Sequence, residues 1–166
     1  MILVSACLAG VKCKYHGGDN RVEEIAGLVE RGKAIALCPE ELGGMGTPRE
    51  PVDIETEDGF AVLAGTSRCL SEDGQDVTDL FVRGAQKVLE MALEAGIQLA
   101  ILKERSPSCG SSKIYNRTLE DHAADRRTLV PGMGVTAALL TQHSIKVISE
   151  EKLTRQILQD IAEEHF

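Results

Sequence analysis

Four short apolar runs alternate along the chain with longer stretches whose apolar residues recur every three or four positions. The runs cover residues 2–6, 34–37, 97–102 and 145–148. Such runs between helical patterns are typical of buried parallel strands joined by helices, which cover both faces of the sheet. The pattern therefore predicts an α/β fold, a three-layer α/β/α sandwich with a mainly parallel, Rossmann-like sheet, formed by residues 1–166 as a single domain.

Two stretches depart from this alternation. Residues 52–69 contain short β-like runs around Asp58 and Gly59, a pair typical of tight hairpin turns, and we expect a small β excursion there. Residues 114–128 are polar and rich in charge. They predict a surface excursion in which His122 is solvated.

Charge and composition narrow the functional classes. The formal net charge is −8, and aromatic residues make up only 3% of the chain. An extended nucleic-acid surface needs positive charge and, for single strands, stacking aromatic side chains, so no such surface is expected.

No apolar run is long enough to cross a membrane, and residues 1–4 enter the first strand without a basic leader. We therefore expect no secretory signal and a cytoplasmic location.

Three of the five cysteines, Cys7, Cys38 and Cys109, lie in the segments that follow predicted strands. Cysteines in a reducing compartment more often bind metals or act in catalysis than form disulfides. Because carboxyl ends of neighbouring parallel strands share one edge of a sheet, we expect these thiols to converge. Thiolates favour zinc or an iron–sulfur cluster, and three protein ligands leave one metal position open. The alternative is that each is a small buried apolar side chain.

The two other cysteines are given lesser roles. Cys13 as a fourth ligand would close the site, but it lies further from Cys7 than the two to four residues usual between paired ligands. We therefore interpret Cys13 as a spare thiol near the site. Cys69 falls in the β excursion, before acidic residues, and is interpreted as incidental.

Seven motifs spread over nearly the whole chain resemble those of the thiouracil desulfidase family, long catalogued only as a domain of unknown function. They occupy residues 4–10, 15–18, 38–40, 43–49, 74–78, 102–110 and 129–136. The chain departs from the family pattern at Ala9, where the family often has Leu, and at His16, where it often has Asp. Neither departure removes a cysteine, but His16 bears on substrate preference.

The resemblance implies a cytoplasmic enzyme that holds a 4Fe–4S cluster through Cys7, Cys38 and Cys109. It also implies that Glu40, in the Cys-Pro-Glu motif, is the acid/base carboxylate, and that Ser106 opens the functional Ser-Pro-Ser-Cys motif. The expected partners are a small thiolated nucleobase or nucleoside and the cluster-assembly machinery.

The mechanism that we expect is a non-redox conversion of thiouracil to uracil and hydrogen sulfide. The substrate sulfur would bind the open iron, and a water deprotonated by Glu40 would attack the adjacent carbon. Ser106 and Ser108 are candidates for orienting the substrate or the water. The amides of Gly132, Met133 and Gly134, before a predicted helix, are weaker candidates for holding the pyrimidine edge.

Other interpretations stay open. A zinc-dependent hydrolase could use the same cysteines, although the deaminase signature of His-x-Glu and Pro-Cys-x-x-Cys does not occur. A non-catalytic iron–sulfur or redox-sensing module would take a fourth ligand from Cys13 or His16. Glu40 could be an ordinary surface carboxylate, and the serines could merely cap their loop. Residues 103–105 are interpreted as a local charge cluster without a catalytic role.

Overall fold

The structure, a computed structural model, describes residues 1–163. The strands in this range are β1 (Ile2–Ser5), β2 (Ala34–Leu37), β3 (Val52–Ile54), β4 (Cys69–Ser71), β5 (Leu99–Leu102), β6 (Lys113–Asn116), β7 (Thr128–Pro131) and β8 (Lys146–Ser149). The α-helices are α1 (Glu23–Glu30), α2 (Pro39–Leu42), α3 (Gly59–Leu63), α4 (Thr78–Glu94), α5 (Leu119–Ala123), α6 (Val135–Gln142) and α7 (Arg155–Ala162). None of these helices is long and apolar enough to span a bilayer.

The first sheet has the strand order β2-β1-β5-β8, and all of its pairs are parallel. Successive side chains of a strand point to opposite faces. Leu3 therefore packs against α4 and α6 on one face, while Ile2 and Val4 pack against α1 and α7 on the other. The predicted three-layer α/β fold with a parallel sheet is confirmed.

The two excursions join in a second sheet, with the order β4-β3-β6-β7. Its apolar face packs on α3, α4 and α6 around Ile54, Phe81, Ile114 and Val135. The expected hairpin at Asp58 is wrong, because β3 and β4 pair but are joined through α3. The Asp58 carboxylate caps that helix, accepting from the Phe60 amide at 3.1 Å.

His122 is half-buried, so the expectation that it is solvated is wrong. Its Nδ1 lies 2.8 Å from the carbonyl oxygen of Thr118, and its Nε2 lies 3.0 Å from that of Ser71. The contact with Ser71 joins α5 to the end of β4. Residues 114–116 and 128 belong to strands of the second sheet, while most of the segment between them is exposed, as expected for a surface excursion.

Candidate active site

Cys7, Cys38 and Cys109 line one pocket of about 320 Å³ at the carboxyl edge of the parallel sheet. Each follows a strand, and those strands, β1, β2 and β5, are neighbours in the sheet. Cys7 lies in a 3₁₀ turn after β1, Cys38 is the residue before α2, and Cys109 lies in the loop between β5 and β6. All three are free thiols, and Cys109 is buried.

The helix that follows Cys38 is held by glycine contacts. A Cβ atom on Gly84 of α4 would lie 1.9 Å from the carbonyl oxygen of Pro39, and one on Gly43 would lie 2.1 Å from that of Leu80. Only residues without a side chain allow two backbones to approach so closely. The contact between α2 and α4 therefore fixes the positions of Cys38 and Glu40.

The loop that carries Cys109 is organised by the buried carboxylate of Glu104. Its Oε1 accepts from the amides of Ser111, Ser112 and Lys113 at 3.0–3.1 Å, and its Oε2 accepts from the two serine hydroxyls. Burial alone would raise the pKa of Glu104, but these bonds and one from Ser149 outweigh it and lower the pKa to about 2. Glu104 is thus an ionised anchor of the loop, and not merely part of a local charge cluster.

The amides of the segment before α6 serve the same loop. The Gly134 amide donates to the carbonyl oxygen of Gly110 at 2.8 Å, and the Gly132 amide donates to that of Ser112 at 3.0 Å. The Met133 amide donates to the Asp58 carboxylate at 3.3 Å. Gly132, Met133 and Gly134 do not line the pocket described above. The structure therefore places the weaker candidates for the pyrimidine edge behind the Cys109 loop, with their amides already bonded.

Glu40 lies on the pocket wall, between a cation and a hydroxyl. The Arg49 guanidinium donates to the Oε2 atom of Glu40. The ion pair is largely buried, since the Arg49 side chain is only 7% exposed and the Glu40 side chain only 16%. The Ser108 hydroxyl donates to the Oε1 atom of Glu40 at 3.3 Å. Glu40 is thereby held in one orientation toward the thiols.

The two serines of the Ser-Pro-Ser-Cys motif have different surroundings. The Ser106 hydroxyl accepts from the amides of Ser108 and Cys109 at 3.2 and 3.1 Å, which makes it a cap of the loop. The Ser108 hydroxyl lies between Glu40 and the Cys109 sulfur, 3.7 Å from the latter. Both serines line the pocket, and their hydroxyls are 3.0 Å apart.

The thiols differ in acidity because their surroundings differ. Burial raises the pKa of Cys7, against a hydrogen bond from Asn20, and burial raises the pKa of Cys109 to about 12. The pKa of Cys38 is lowered by a hydrogen bond from the Cys13 thiol, with burial opposing. Cys38 is thus the most acidic of the three predicted ligands.

Several polar residues of the pocket were not predicted to take part in the site. The Asn20 amide donates to the Cys7 sulfur at 3.6 Å and accepts from Lys14 at 3.0 Å. Tyr115 and Arg127 also line the pocket, and the Arg127 guanidinium lies 3.7 Å from the centre of the Tyr115 ring, a cation–π contact. The only sequence signal for Asn20 and Arg49 was their position. Asn20 lies two residues after the motif at 15–18, and Arg49 is the last residue of the motif at 43–49.

The two remaining cysteines lie in different places. Cys13 lines the pocket beside Cys38, as expected for a spare thiol near the site. Cys69 is fully buried in the core of the second sheet and does not line the pocket.

Comparison with known proteins assigns the chain to a family. A family model described as 2-thiouracil desulfurase matches residues 2–152. The chain is 48% identical over 153 residues to the uncharacterized protein YbbK of Bacillus subtilis (strain 168), covering 92% of this chain and 97% of that protein. A solved structure of the 4Fe–4S-dependent thiouracil desulfidase TudS is similar, with a TM-score of 0.78, 38% identity, and coverage of 98% of this chain and 95% of that one. The chain belongs to the 2-thiouracil desulfurase family.

Proposed function

We propose that this protein is a 4Fe–4S-dependent desulfidase that converts thiouracil, as the free base or within a nucleoside, to the corresponding uracil and hydrogen sulfide. The observation that carries the proposal is the convergence of Cys7, Cys38 and Cys109 on one pocket whose wall also contains Glu40. Family membership and the similarity to TudS support the same chemistry.

The donor set fits an iron–sulfur cluster. Cys7, Cys38 and Cys109 offer three free thiols, and thiolates are the ligands of such clusters. They would hold the cluster and leave one iron without a protein ligand. When bound, that iron would supply a Lewis acid for the thiocarbonyl sulfur of the substrate.

The residues of the chain would handle water and its protons. Glu40 would accept a proton from the attacking water through a carboxylate that Arg49 and Ser108 keep in place. A carbon–oxygen bond forms, the carbon–sulfur bond breaks, and the sulfur leaves as hydrosulfide. Water and thiocarbonyl thus give carbonyl and hydrogen sulfide, with no net electron transfer.

The assay is release of sulfide from 2-thiouracil and 4-thiouracil, and from their nucleosides, by anaerobically reconstituted protein. We expect sulfide and the matching uracil in equal amounts. Glu40→Gln should keep the cluster absorption and lose turnover by at least about 100-fold, the scale of a lost general base. Retained turnover would remove Glu40 from the mechanism, and absence of sulfide with every thiolated substrate would reject the proposed function.

We also propose a cytoplasmic location and loading by the cluster-assembly machinery. All five cysteines are free, as is usual in a reducing compartment.

A further inference from the structure

Cys13 forms a group with Cys38 and Glu41 that differs from the three predicted cluster ligands. The two sulfurs and one Glu41 carboxylate oxygen all lie within 4.8 Å of one another. Within residues 1–163, no other three cysteine, histidine or acidic side chains bring their ligand atoms this close. Two sulfurs on a tetrahedral zinc ion, at about 2.3 Å each, are separated by roughly 3.8 Å. Small side-chain rotations would therefore place these three atoms around one ion.

Arg49 connects the backbone of Cys13 to the Glu41 carboxylate through Thr47. Its Nη2 donates to the carbonyl oxygen of Cys13 at 2.8 Å, and its Nη1 donates to the Thr47 hydroxyl at 2.9 Å. That hydroxyl donates to the Glu41 carboxylate at 2.6 Å. Hydrogen bonds of this kind orient the ligands of metal sites in advance.

The chemistry of the group suits zinc. Two thiolates and one carboxylate carry three negative charges, and a divalent cation neutralises two of them. Zinc accepts sulfur and carboxylate ligands in tetrahedral geometry, and three protein ligands leave the fourth position to water. The pocket opens beside Cys13 and Cys38, so an ion and its water have access.

We propose that the cluster-free protein binds one Zn²⁺ through the sulfurs of Cys13 and Cys38 and the carboxylate of Glu41. This zinc site is separate from the proposed desulfidase function and does not depend on it. Because Cys38 is shared, the zinc ion and the cluster exclude each other, a consequence that does rest on the proposed function. Free zinc would thus hold the empty protein in a form that cannot accept a cluster.

The test is titration of anaerobic, cluster-free protein with Co²⁺, a zinc substitute whose bond to thiolate absorbs light, followed by displacement with Zn²⁺. We expect one ion per chain. Cys13→Ala and Cys38→Ala should lose the thiolate absorption, whereas Cys7→Ala, Cys109→Ala and Cys69→Ala should keep it. Glu41→Gln should weaken zinc binding by at least about tenfold, the lower end of what an outer contact alone costs.

Tight binding by folded Cys13→Ala, or loss of binding in Cys7→Ala or Cys109→Ala, would overturn the site. Circular dichroism checks that each variant folds. If Cys13→Ala does not fold, Glu41→Gln is the deciding variant, because Glu41 is exposed and its substitution should not disturb the fold. An unchanged zinc affinity of Glu41→Gln would also overturn the site.

A second measurement tests the exclusion. Stoichiometric Zn²⁺ added before iron and sulfide should slow cluster formation in the wild-type protein and leave Cys13→Ala unaffected. Equal slowing in both proteins would contradict exclusion at this site. If no cluster forms even without zinc, the proposed function fails, while the Co²⁺ titration still decides the zinc site.

Discussion

One nitrogen of Arg49 contacts both the Glu40 carboxylate and the backbone of the Cys13 loop. Nη2 donates to Glu40 and also to the carbonyl oxygen of Cys13 at 2.8 Å. The Arg49 side chain is almost fully buried, so the pair is shielded from solvent. Removing one partner of a buried pair costs about 3–5 kcal/mol, because the other charge stays buried without compensation.

Arg49→Ala should therefore lower the free energy of unfolding by about 3 kcal/mol and reduce sulfide release, since Glu40 loses its orientation. Arg49→Lys should give a free energy of unfolding and a rate of sulfide release between those of the wild type and Arg49→Ala, because an ammonium group cannot reproduce the forked hydrogen bonds of a guanidinium. Arg21→Ala is the matched control, since its pair with Glu23 is exposed, and it should leave both quantities unchanged. Urea unfolding and the sulfide assay measure the effects. Wild-type turnover in Arg49→Ala would show that Glu40 needs no such partner.

Glu104 predicts a dependence of stability on pH. Its pKa is lowered from 4.5 to about 2, so its stabilising contribution is complete above pH 4.5 and is lost as the pH falls toward 2. The full shift corresponds to about 3 kcal/mol. Glu104→Gln should lose about that much stability at pH 7 and show a flatter decline between pH 4.5 and 2. The exposed Glu90→Gln should behave like wild type in the same urea unfolding series, and an equal slope in Glu104→Gln would contradict the anchor role.

Substituting alanine for each of two helix glycines distinguishes the effect of packing on stability from the effect of helix propensity. Gly84→Ala gains about 1 kcal/mol of propensity but places its Cβ 1.9 Å from a backbone oxygen. Overpacking costs about 1–3 kcal/mol and here displaces α2, so stability and turnover should both fall. Gly27→Ala in α1 meets only the flexible end of Arg31, at 2.9 Å, and should be neutral or stabilising. Thermal unfolding and sulfide release compare them, and a fully active Gly84→Ala would show that α2 position is not critical.

The two motif serines should respond differently to substitution. Ser106→Ala removes the acceptor for two loop amides and should lower the free energy of unfolding by about 1–2 kcal/mol. Ser108→Ala should mainly lower kcat, because its hydroxyl contacts Glu40 and the Cys109 sulfur. Steady-state kinetics beside urea unfolding give both values. If Ser106→Ala alone lost turnover at unchanged stability, Ser106 would act on the substrate.

The parallel sheet could be predicted because its strands are short apolar runs with helical patterns between them. The second sheet could not, since it places Ile54 opposite Asn116 and local periodicity carries no information on such distant partners. Asp58 illustrates a related ambiguity. The same residue type that starts a hairpin turn also caps a helix.

The pocket cysteines were predictable for a geometric reason, because parallel neighbours bring their carboxyl ends to one edge. The roles of Arg49 and Glu104 were not, because each comes from contacts with other loops rather than from spacing. The amides of Gly132, Met133 and Gly134 were predicted to be free donors because they precede a helix. In the structure they already donate to carbonyl groups of the Cys109 loop and to the Asp58 carboxylate, contacts that the local sequence does not indicate.

The most direct test of the central claim is the iron and sulfide content of each cysteine variant after anaerobic reconstitution. We predict that Cys7→Ala, Cys38→Ala and Cys109→Ala lose the cluster and the release of sulfide from thiouracil, and that Cys13→Ala and Cys69→Ala keep both. A full cluster with full activity in any of the first three variants would contradict the assignment.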